Sequence, residues 1–213
     1  WRDPRLGVGM VLVAILLSMT LHEAMHGYAA YWLGDHTAKN EGRLTLNPVH
    51  HIDPFLTILL PLFLAIAHAP IFGGAKPVPF NPFAVRGGAY GAALVGLAGP
   101  LTNLVLSFVL FALYALLGGP VGLLGDFLEV GVVVNLGFFI FNMIPIPPLD
   151  GSRALYAVAP EGVQRFMDFL EQNGLIIVFA VVMLFSSQIG QIISVAQQAI
   201  LRFYGALFGI TVI

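Results

Sequence analysis

The sequence contains no cysteine and few charged residues. Without cysteine there is no disulfide framework, and any bound metal must be held by histidine, aspartate or glutamate. Only 9% of the 213 residues are charged and 58% are hydrophobic, whereas about a quarter of the residues in a soluble domain are charged. Such a chain cannot cover a surface that faces water, so we expect an integral membrane protein in which residues 1–213 form a single domain. A net charge of −2 provides no basic face, which argues against a nucleic-acid partner.

Long apolar stretches divide the chain into helical segments. A helix needs about 20 mostly apolar residues to cross a membrane. We interpret residues 1–20 as part of the first such helix and not as a cleaved signal. The prediction is an all-α polytopic membrane protein with five to six hydrophobic helical segments. Its candidate segments are residues 6–33, 55–72, 90–117, 123–144, 175–185 and 189–203.

Two segments between the first and third apolar stretches do not have the pattern of helices. Residues 42–48 alternate apolar and polar side chains, which is typical of a short strand. Residues 73–82 contain too many prolines and glycines for a helix. The apolar stretch between them, residues 55–72, is short and carries Pro61 in its middle. We therefore predict a short re-entrant or membrane-associated β-hairpin in this part of the chain.

The first apolar stretch contains the cluster His22-Glu23-Ala24-Met25-His26, which matches the zinc-binding pattern H-E-x-x-H. Residues four apart lie on the same face of a helix, so both imidazoles can reach one ion, and Glu23 lies beside them to take a proton from water. Such a pattern often arises by chance in a soluble helix. At membrane depth, however, each ionisable side chain costs roughly 2.5–3.5 kcal/mol, and metal binding explains all three together.

Two histidines leave a catalytic zinc ion short of one protein ligand. Asp150 follows a helix end that is broken by Pro145, Pro147 and Pro148. Backbone carbonyls left unpaired by proline are tolerated at membrane depth only where they are buried in protein or face water, which favours Asp150 as the third ligand. Taken alone, Asp150-Gly151 would indicate a turn or a helix cap. The other polar residues near apolar stretches are Asn103, Asp126, Glu129, Asn135 and Asn142.

The two motifs together resemble those of the site-2 proteases, which are intramembrane zinc metalloproteases. The second motif is Asn142-Met143-Ile144-Pro145-Ile146-Pro147-Pro148-Leu149-Asp150-Gly151. The resemblance covers about residues 15–155 and is that of a compact bacterial- or archaeal-type member without PDZ or CBS domains. Further similarity lies in residues 42–48, 74–78 and 98–103.

This resemblance implies a reaction and a set of site residues. One Zn²⁺ per chain would be bound by His22, His26 and Asp150, and Glu23 would activate the zinc-bound water. Asn142 would steady the carbonyl or the oxyanion of the substrate. The implied function is that of an intramembrane zinc endopeptidase, a single membrane-embedded metalloprotease domain that takes part in regulated intramembrane proteolysis.

A helical substrate hides its carbonyl groups, so the segment to be cut must first unwind. The extended segments that contain Leu44, Leu46 and Lys76 are candidates for a strand edge that holds it open, with a purely structural hairpin as the alternative. The alternative for Lys76 is an interfacial lysine. Asn103 is a further candidate for a substrate contact, and a hydrogen bond between helices is its alternative.

The proposed ligands also constrain the topology. For Asp150 to reach the same ion as His22 and His26, the segments 6–33 and 123–144 should run parallel, whereas counting every apolar segment as a full crossing makes them antiparallel. We therefore prefer an arrangement in which residues 55–72 dip into the membrane and return, or residues 73–82 re-enter it. This arrangement places the site near the cytosolic face of the plasma membrane in a multi-pass protein. The expected partners are the lipid bilayer and single-span membrane-protein substrates, and the oligomeric state stays open.

Two other functions are compatible with a cluster of metal-binding side chains in a membrane protein. A prenyl-protein peptidase would be expected to use a second His/Glu cluster on another helix, and the Asp150 motif argues against it. A metal transporter or a non-catalytic metal-binding scaffold would not need Glu23.

Overall fold

The computed structural model describes residues 4–70 and 73–211, and its regular elements in these ranges are all helical. A 3₁₀ turn at Pro48–His51 and a π-helical turn at Pro54–Leu59 precede α3. The α-helices are α1 (Pro4–Trp32), α2 (Thr37–Asn40), α3 (Leu60–Ile66), α4 (Gly88–Leu116), α5 (Leu123–Asn142), α6 (Gly151–Val158), α7 (Glu161–Gln172) and α8 (Gly174–Phe208).

Among the described residues, four helices are long and apolar enough to cross a membrane, namely α1, α4, α5 and α8. The predicted count of five to six is therefore too high, for two reasons. The apolar helical stretch Pro54–Ile66 is too short for a crossing. The stretches 175–185 and 189–203 belong to one 35-residue helix, whose backbone departs from helical geometry at Phe185.

The predicted β-hairpin is wrong, because the described residues contain no strand. Residues 43–47 and 74–78 have no regular secondary structure, and the Arg43 guanidinium joins them by donating to the Lys76 carbonyl at 2.9 Å. The Lys76 amide donates instead to the carbonyl of His51, in the 3₁₀ turn, at 2.9 Å. Prolines on both sides of Val78 have no N–H to donate, so a regular ladder cannot form there.

Helix α4 runs antiparallel to α1. His26, near the end of α1, is hydrogen-bonded to the carbonyl of Val95 in α4 at 2.7 Å. His22 lies one turn earlier in α1 and contacts Asn103, which lies two turns later in α4. Contacts that advance in opposite directions along the two helices define an antiparallel pair.

Helix α5 runs parallel to α1. Ser18 in the middle of α1 accepts a hydrogen bond from Asn135 in the middle of α5 at 2.9 Å. Further along both chains, His22 contacts Asp150, which follows α5, at 3.0 Å. The parallel arrangement of α1 and α5, which we predicted from the ion shared by His22, His26 and Asp150, is thus present in the structure.

The segment between α1 and α4 leaves and returns at the same end of α1. The amide of Arg86, just before α4, donates to the carbonyl of Leu33, just after α1, at 2.8 Å. Residues 34–85 therefore begin and finish at the same end of the helix bundle, which agrees with the expectation that residues 55–82 return. Residues 71 and 72 of the predicted segment lie outside the described residues.

The apolar core lies between α4, α5 and the second half of α8. It is centred on Phe111, Val132, Leu136, Ile140 and Tyr204. Many large apolar side chains on the outer faces of the helices are exposed, as expected for surfaces that contact lipid.

Asp35 joins the beginning and the end of residues 34–85, which we call the return segment. Asp35 is only 1% exposed, and its carboxylate accepts hydrogen bonds from the Thr37 amide at 2.9 Å, the Thr37 hydroxyl at 2.6 Å and the Asn81 amide at 2.6 Å. Burial alone would raise the pKa of Asp35, but these hydrogen bonds outweigh it and lower the pKa below its usual value.

We expect Asp35→Asn to lower the free energy of unfolding at pH 7 by about 1.5–3 kcal/mol, the contribution typical of hydrogen bonds to a charged group. Because the folded state lowers the pKa of Asp35, this contribution is present above about pH 4 and is lost as the pH falls through the folded pKa. Thermal unfolding of the purified protein at pH 7 and pH 3 measures it, with the exposed Glu41→Gln as control. Equal unfolding of wild type and Asp35→Asn at pH 7 would contradict the prediction.

Candidate metal centre

Three potential metal-ligand side chains converge between the ends of α1 and α5. His22 Nε2 lies 3.1 Å from His26 Nε2 and 3.0 Å from Asp150 Oδ2, and His26 Nε2 lies 3.4 Å from Asp150 Oδ1. Zinc–ligand bonds of 2.0–2.1 Å in a tetrahedron place the ligand atoms about 3.3 Å apart. The three donor atoms therefore have the spacing of one face of a tetrahedral zinc site.

Local structure explains how each ligand reaches this point. His22 and His26 lie four residues apart in α1, so their rings project from one face, and they are only 6% and 8% exposed. Asp150 lies at the N-terminus of α6, after the proline-rich turn that ends α5.

Gly99 of α4 lies directly against the two imidazoles. A Cβ atom at this position would lie 2.6 Å from His22 Nε2 and closer still to His26 Nε2. The space beside the metal-binding nitrogens exists because residue 99 has no side chain. Two imidazoles and one carboxylate suit a catalytic zinc ion, which keeps its fourth position open for water or substrate. The site therefore fits zinc in both its donor set and its space.

The second ring nitrogen of each histidine is also engaged. His26 Nδ1 lies 2.7 Å from the carbonyl oxygen of Val95, and His22 Nδ1 contacts Asn103 Oδ1. A carbonyl oxygen only accepts hydrogen bonds, so each Nδ1 carries a proton, and in the neutral imidazole that binds metal each Nε2 offers its lone pair to the ion. Zinc-binding histidines are commonly oriented by contacts of this kind.

Glu23 lies beside the ligands, and the return segment holds its carboxylate. Glu23 Oε2 accepts a hydrogen bond from the Val78 amide at 3.0 Å. The side chains of Leu44 and Val78 pack against Gly27, where a Cβ atom would lie 2.7 Å and 2.9 Å from them. Both predicted substrate segments thus contact α1 within one turn of the predicted general base.

The predicted substrate-binding residues occupy different environments. Leu44 is half-buried against α1, whereas the side chains of Leu46 and Lys76 are exposed. The backbone N–H and carbonyl of Lys76 are both bonded within the protein. Substrate binding by these three residues stays a prediction.

Asn142 and Asn103, the two asparagines predicted to contact the substrate, lie in very different environments. Asn142 is the last residue of α5 and donates from Nδ2 to the carbonyl of Phe138 in its own helix at 3.0 Å, so its role at the oxyanion stays a prediction. Asn103 is completely buried and bonds to His22 and Asn135. The structure therefore favours the alternative of a hydrogen bond between helices for Asn103 over a substrate contact.

Several contributors to the site were not among the residues predicted from the sequence. Gly99 lies in the similar stretch 98–103 but was given no role of its own. In the structure, Gly99 is the residue that makes room at the imidazoles. The signal was the spacing Gly96-x-x-Gly99 before Pro100 in a spanning helix. The Val95 carbonyl and the Val78 amide are backbone groups, for which a sequence contains no signal.

Curated proteins with sequences similar to this chain are named as zinc metalloproteases. The chain is 36% identical over 209 residues to "Putative zinc metalloprotease YwhC" of Bacillus subtilis (strain 168), covering 93% of this chain and 92% of that protein. It is 34% identical over 178 residues to "Putative zinc metalloprotease Rip2" of Mycolicibacterium smegmatis, covering 79% and 64%. It is 48% identical over 61 residues to "Putative zinc metalloprotease MJ0611" of Methanocaldococcus jannaschii, covering 29% and 31%. No family model matches the chain, and no solved structure matches it at a significant level.

Proposed function

The chain belongs to the site-2 protease family of zinc metalloproteases, and on that basis we propose that it is an intramembrane zinc endopeptidase. It would hydrolyse peptide bonds within or near the transmembrane segments of single-span membrane proteins. The observation that carries the proposal is the cluster of the buried His22 and His26 with the partly buried Asp150, which lies among helices long and apolar enough to cross a membrane. Glu23 lies beside this cluster.

In the proposed site, His22, His26 and Asp150 would hold one zinc ion per chain. Zinc, when bound, supplies a Lewis acid that lowers the pKa of water and polarises a carbonyl group. His22 and His26 are buried, and the Asp150 side chain, which is 20% exposed, supplies the negative charge that a divalent cation needs.

Glu23 would transfer the proton in the reaction. Hydrolysis adds the hydroxyl of water to the carbonyl carbon, breaks the C–N bond and leaves a proton for the departing amine. Glu23 would accept this proton from water and deliver it to the amine. The hydrogen bond from the Val78 amide holds the Glu23 carboxylate in place for this transfer.

Asn142 would donate a hydrogen bond to the oxyanion. Its side chain carries two N–H groups, and one is bonded to the carbonyl of Phe138. Removal of one such oxyanion donor costs other enzymes about 3 kcal/mol of transition-state stabilisation.

The unwound substrate would lie along the return segment. Thr45 is bonded within the protein, since its amide donates to the Arg43 carbonyl at 3.0 Å and its carbonyl accepts from His51 at 2.9 Å. Leu44 and Leu46 would turn their backbone groups to the substrate, and the exposed Lys76 would contact it from the neighbouring segment.

The site would lie nearer the cytosolic face of the plasma membrane. Because the return segment stays at one end of α1, the loops at the end of the bundle with the site carry most of the basic residues. An excess of lysine and arginine marks the cytosolic side. These basic residues are Lys39, Arg43, Lys76, Arg86, Arg153 and Arg165.

The proposal is tested by reconstituting the purified protein in lipid vesicles with a single-span substrate and mapping the cut bond by mass spectrometry. We expect cleavage within or next to the transmembrane segment, which stops when a chelator removes zinc and returns when zinc is added. Cleavage that is indifferent to zinc depletion would contradict the proposal. Zinc uptake into the vesicles without cleavage would favour the transporter alternative.

A further inference from the structure

Three polar side chains lie deep between α1, α4 and α5 and are neither metal ligands nor proton carriers in the proposed reaction. Ser18, Asn103 and Asn135 are 4%, 0% and 2% exposed. Polar groups inside a membrane protein are costly unless they are paired. These three form a chain of hydrogen bonds that ends at His22.

The direction of these hydrogen bonds, from donor to acceptor, is set at Asn135, at the end of the series farthest from the metal centre. Asn135 Nδ2 lies 2.8 Å from the carbonyl oxygen of Gly131 and 2.9 Å from the Ser18 hydroxyl. Because a backbone carbonyl only accepts hydrogen bonds, the amide nitrogen of Asn135 must face Gly131. The Oδ1 atom of Asn135 must then face Asn103.

The orientation of the Asn103 amide follows in the same way, and it determines which ring nitrogen of His22 carries the proton. Asn103 Nδ2 donates to Asn135 Oδ1 at 2.8 Å and lies 3.4 Å from the Ser18 carbonyl oxygen, so Asn103 Oδ1 faces His22 Nδ1. An amide oxygen only accepts, so His22 Nδ1 must carry the proton. In the neutral imidazole that binds metal, the lone pair of His22 is then on Nε2, the atom that lies 3.0 Å from Asp150.

We propose that Asn103 and Asn135 are positioning residues that fix His22 as the Nδ1–H tautomer and thereby hold Nε2 ready for the metal. His26 obtains the same tautomer from the Val95 backbone carbonyl and needs no side chain for it. Asn135 acts on the metal site without touching any of its ligands. This inference rests on the proposed zinc site at His22, His26 and Asp150.

Zinc affinity of the purified protein, measured by competition with a chelator, tests the inference. We expect Asn103→Leu and Asn135→Leu each to bind zinc about 10- to 100-fold more weakly, the range found when contacts to metal-bound histidines are removed. Asn103→Asp keeps an acceptor at His22 and should bind more tightly than Asn103→Leu. The matched control is Ser107→Ala, which removes a completely buried hydroxyl of α4 that contacts Tyr204 at 3.1 Å instead of the site. Its affinity should equal that of wild type.

Substitution of cobalt for zinc gives a second measurement, since the visible spectrum of cobalt reports the geometry of its ligands. We expect Asn103→Leu and Asn135→Leu to change this spectrum and Ser107→Ala to leave it unchanged. A purely structural role for the two asparagines would lower the thermal stability of the protein without changing the spectrum of the folded fraction. Unchanged spectra in both variants would overturn the inference.

The wild-type protein provides a test that does not depend on the folding of a variant. In zinc-loaded protein labelled with ¹⁵N in histidine, two zinc-dependent ring N–H signals should exchange slowly with water, one from each ligand histidine. Detection of only the His26 signal, which the Val95 carbonyl protects, would overturn the role of Asn103.

The two proposals fail in different ways. Absence of zinc binding by wild type would overturn the zinc site and this inference together. Zinc binding by wild type, with affinities of Asn103→Leu and Asn135→Leu within threefold of it, would overturn this inference alone.

Discussion

Gly99→Ala is expected to abolish zinc binding, with at least about a 100-fold loss of affinity. The new Cβ atom would lie 2.6 Å from His22 Nε2, whereas ordinary contact begins at 3.4 Å. The His22 ring would have to move by about 0.8 Å and the His26 ring by more, although zinc–ligand distances vary by only about 0.2 Å. Because both rings are held from behind by Asn103 and Val95, they cannot withdraw without breaking those contacts.

The zinc content of purified Gly99→Ala and its affinity in a chelator competition measure this effect. Gly9→Ala is the matched control, because a Cβ atom on this glycine of α1 meets nothing within 4 Å. Helix content by circular dichroism should be the same in both variants, since the contacts of the added methyl at position 99 are with the two imidazoles. Normal zinc binding by Gly99→Ala would refute the position of the metal between α1 and α4.

Glu23→Gln is expected to reduce the rate of peptide cleavage by about 10²- to 10⁴-fold, the range for removal of a general acid–base group. Glutamine has nearly the same shape, and its side-chain oxygen can still accept the hydrogen bond from the Val78 amide. The variant loses the ability to take a proton and keeps the ligands His22, His26 and Asp150. Zinc affinity should therefore change little while catalysis fails.

Single-turnover cleavage in lipid vesicles, with zinc content measured on the same samples, separates the two effects. Glu129→Gln is a suitable control, because Glu129 is exposed in the first half of α5 at the end of the bundle away from Asp150. Cleavage at the wild-type rate by zinc-loaded Glu23→Gln would contradict the proposed mechanism. It would favour a scaffold or a transporter that needs no proton acceptor.

The candidate ligands could be predicted from the sequence because their signals are local. His22 and His26 are one helical turn apart, so their shared face follows from helix geometry alone. Asp150 required a longer argument, from the absence of cysteine and from a helix end broken by prolines. The resemblance to site-2 proteases was confirmed by the curated relatives. The requirement that one ion be shared then predicted that α1 and α5 run parallel, and the structure has this arrangement.

Predictions that depended on local alternation or on apolar length were less accurate. Residues 42–48 alternate like a strand, but strand pairing needs a partner with N–H groups, and the proline-rich segment opposite cannot supply a ladder. The stretches 175–185 and 189–203 were separated by polar residues, yet the helix continues through them with only a local departure at Phe185. Apolar length therefore overestimated the number of crossings.

The sequence by itself determined the membrane environment, the donor chemistry and the pair of histidines, because composition and helical spacing are properties of the chain alone. Only the tertiary structure decided what surrounds these residues. Gly99 lies against the imidazoles, Val78 holds Glu23, and Asn103 and Asn135 orient His22 because four distant parts of the chain pack together. Contacts between groups more than thirty residues apart depend on how the helices are placed in space, and no spacing along the chain encodes them.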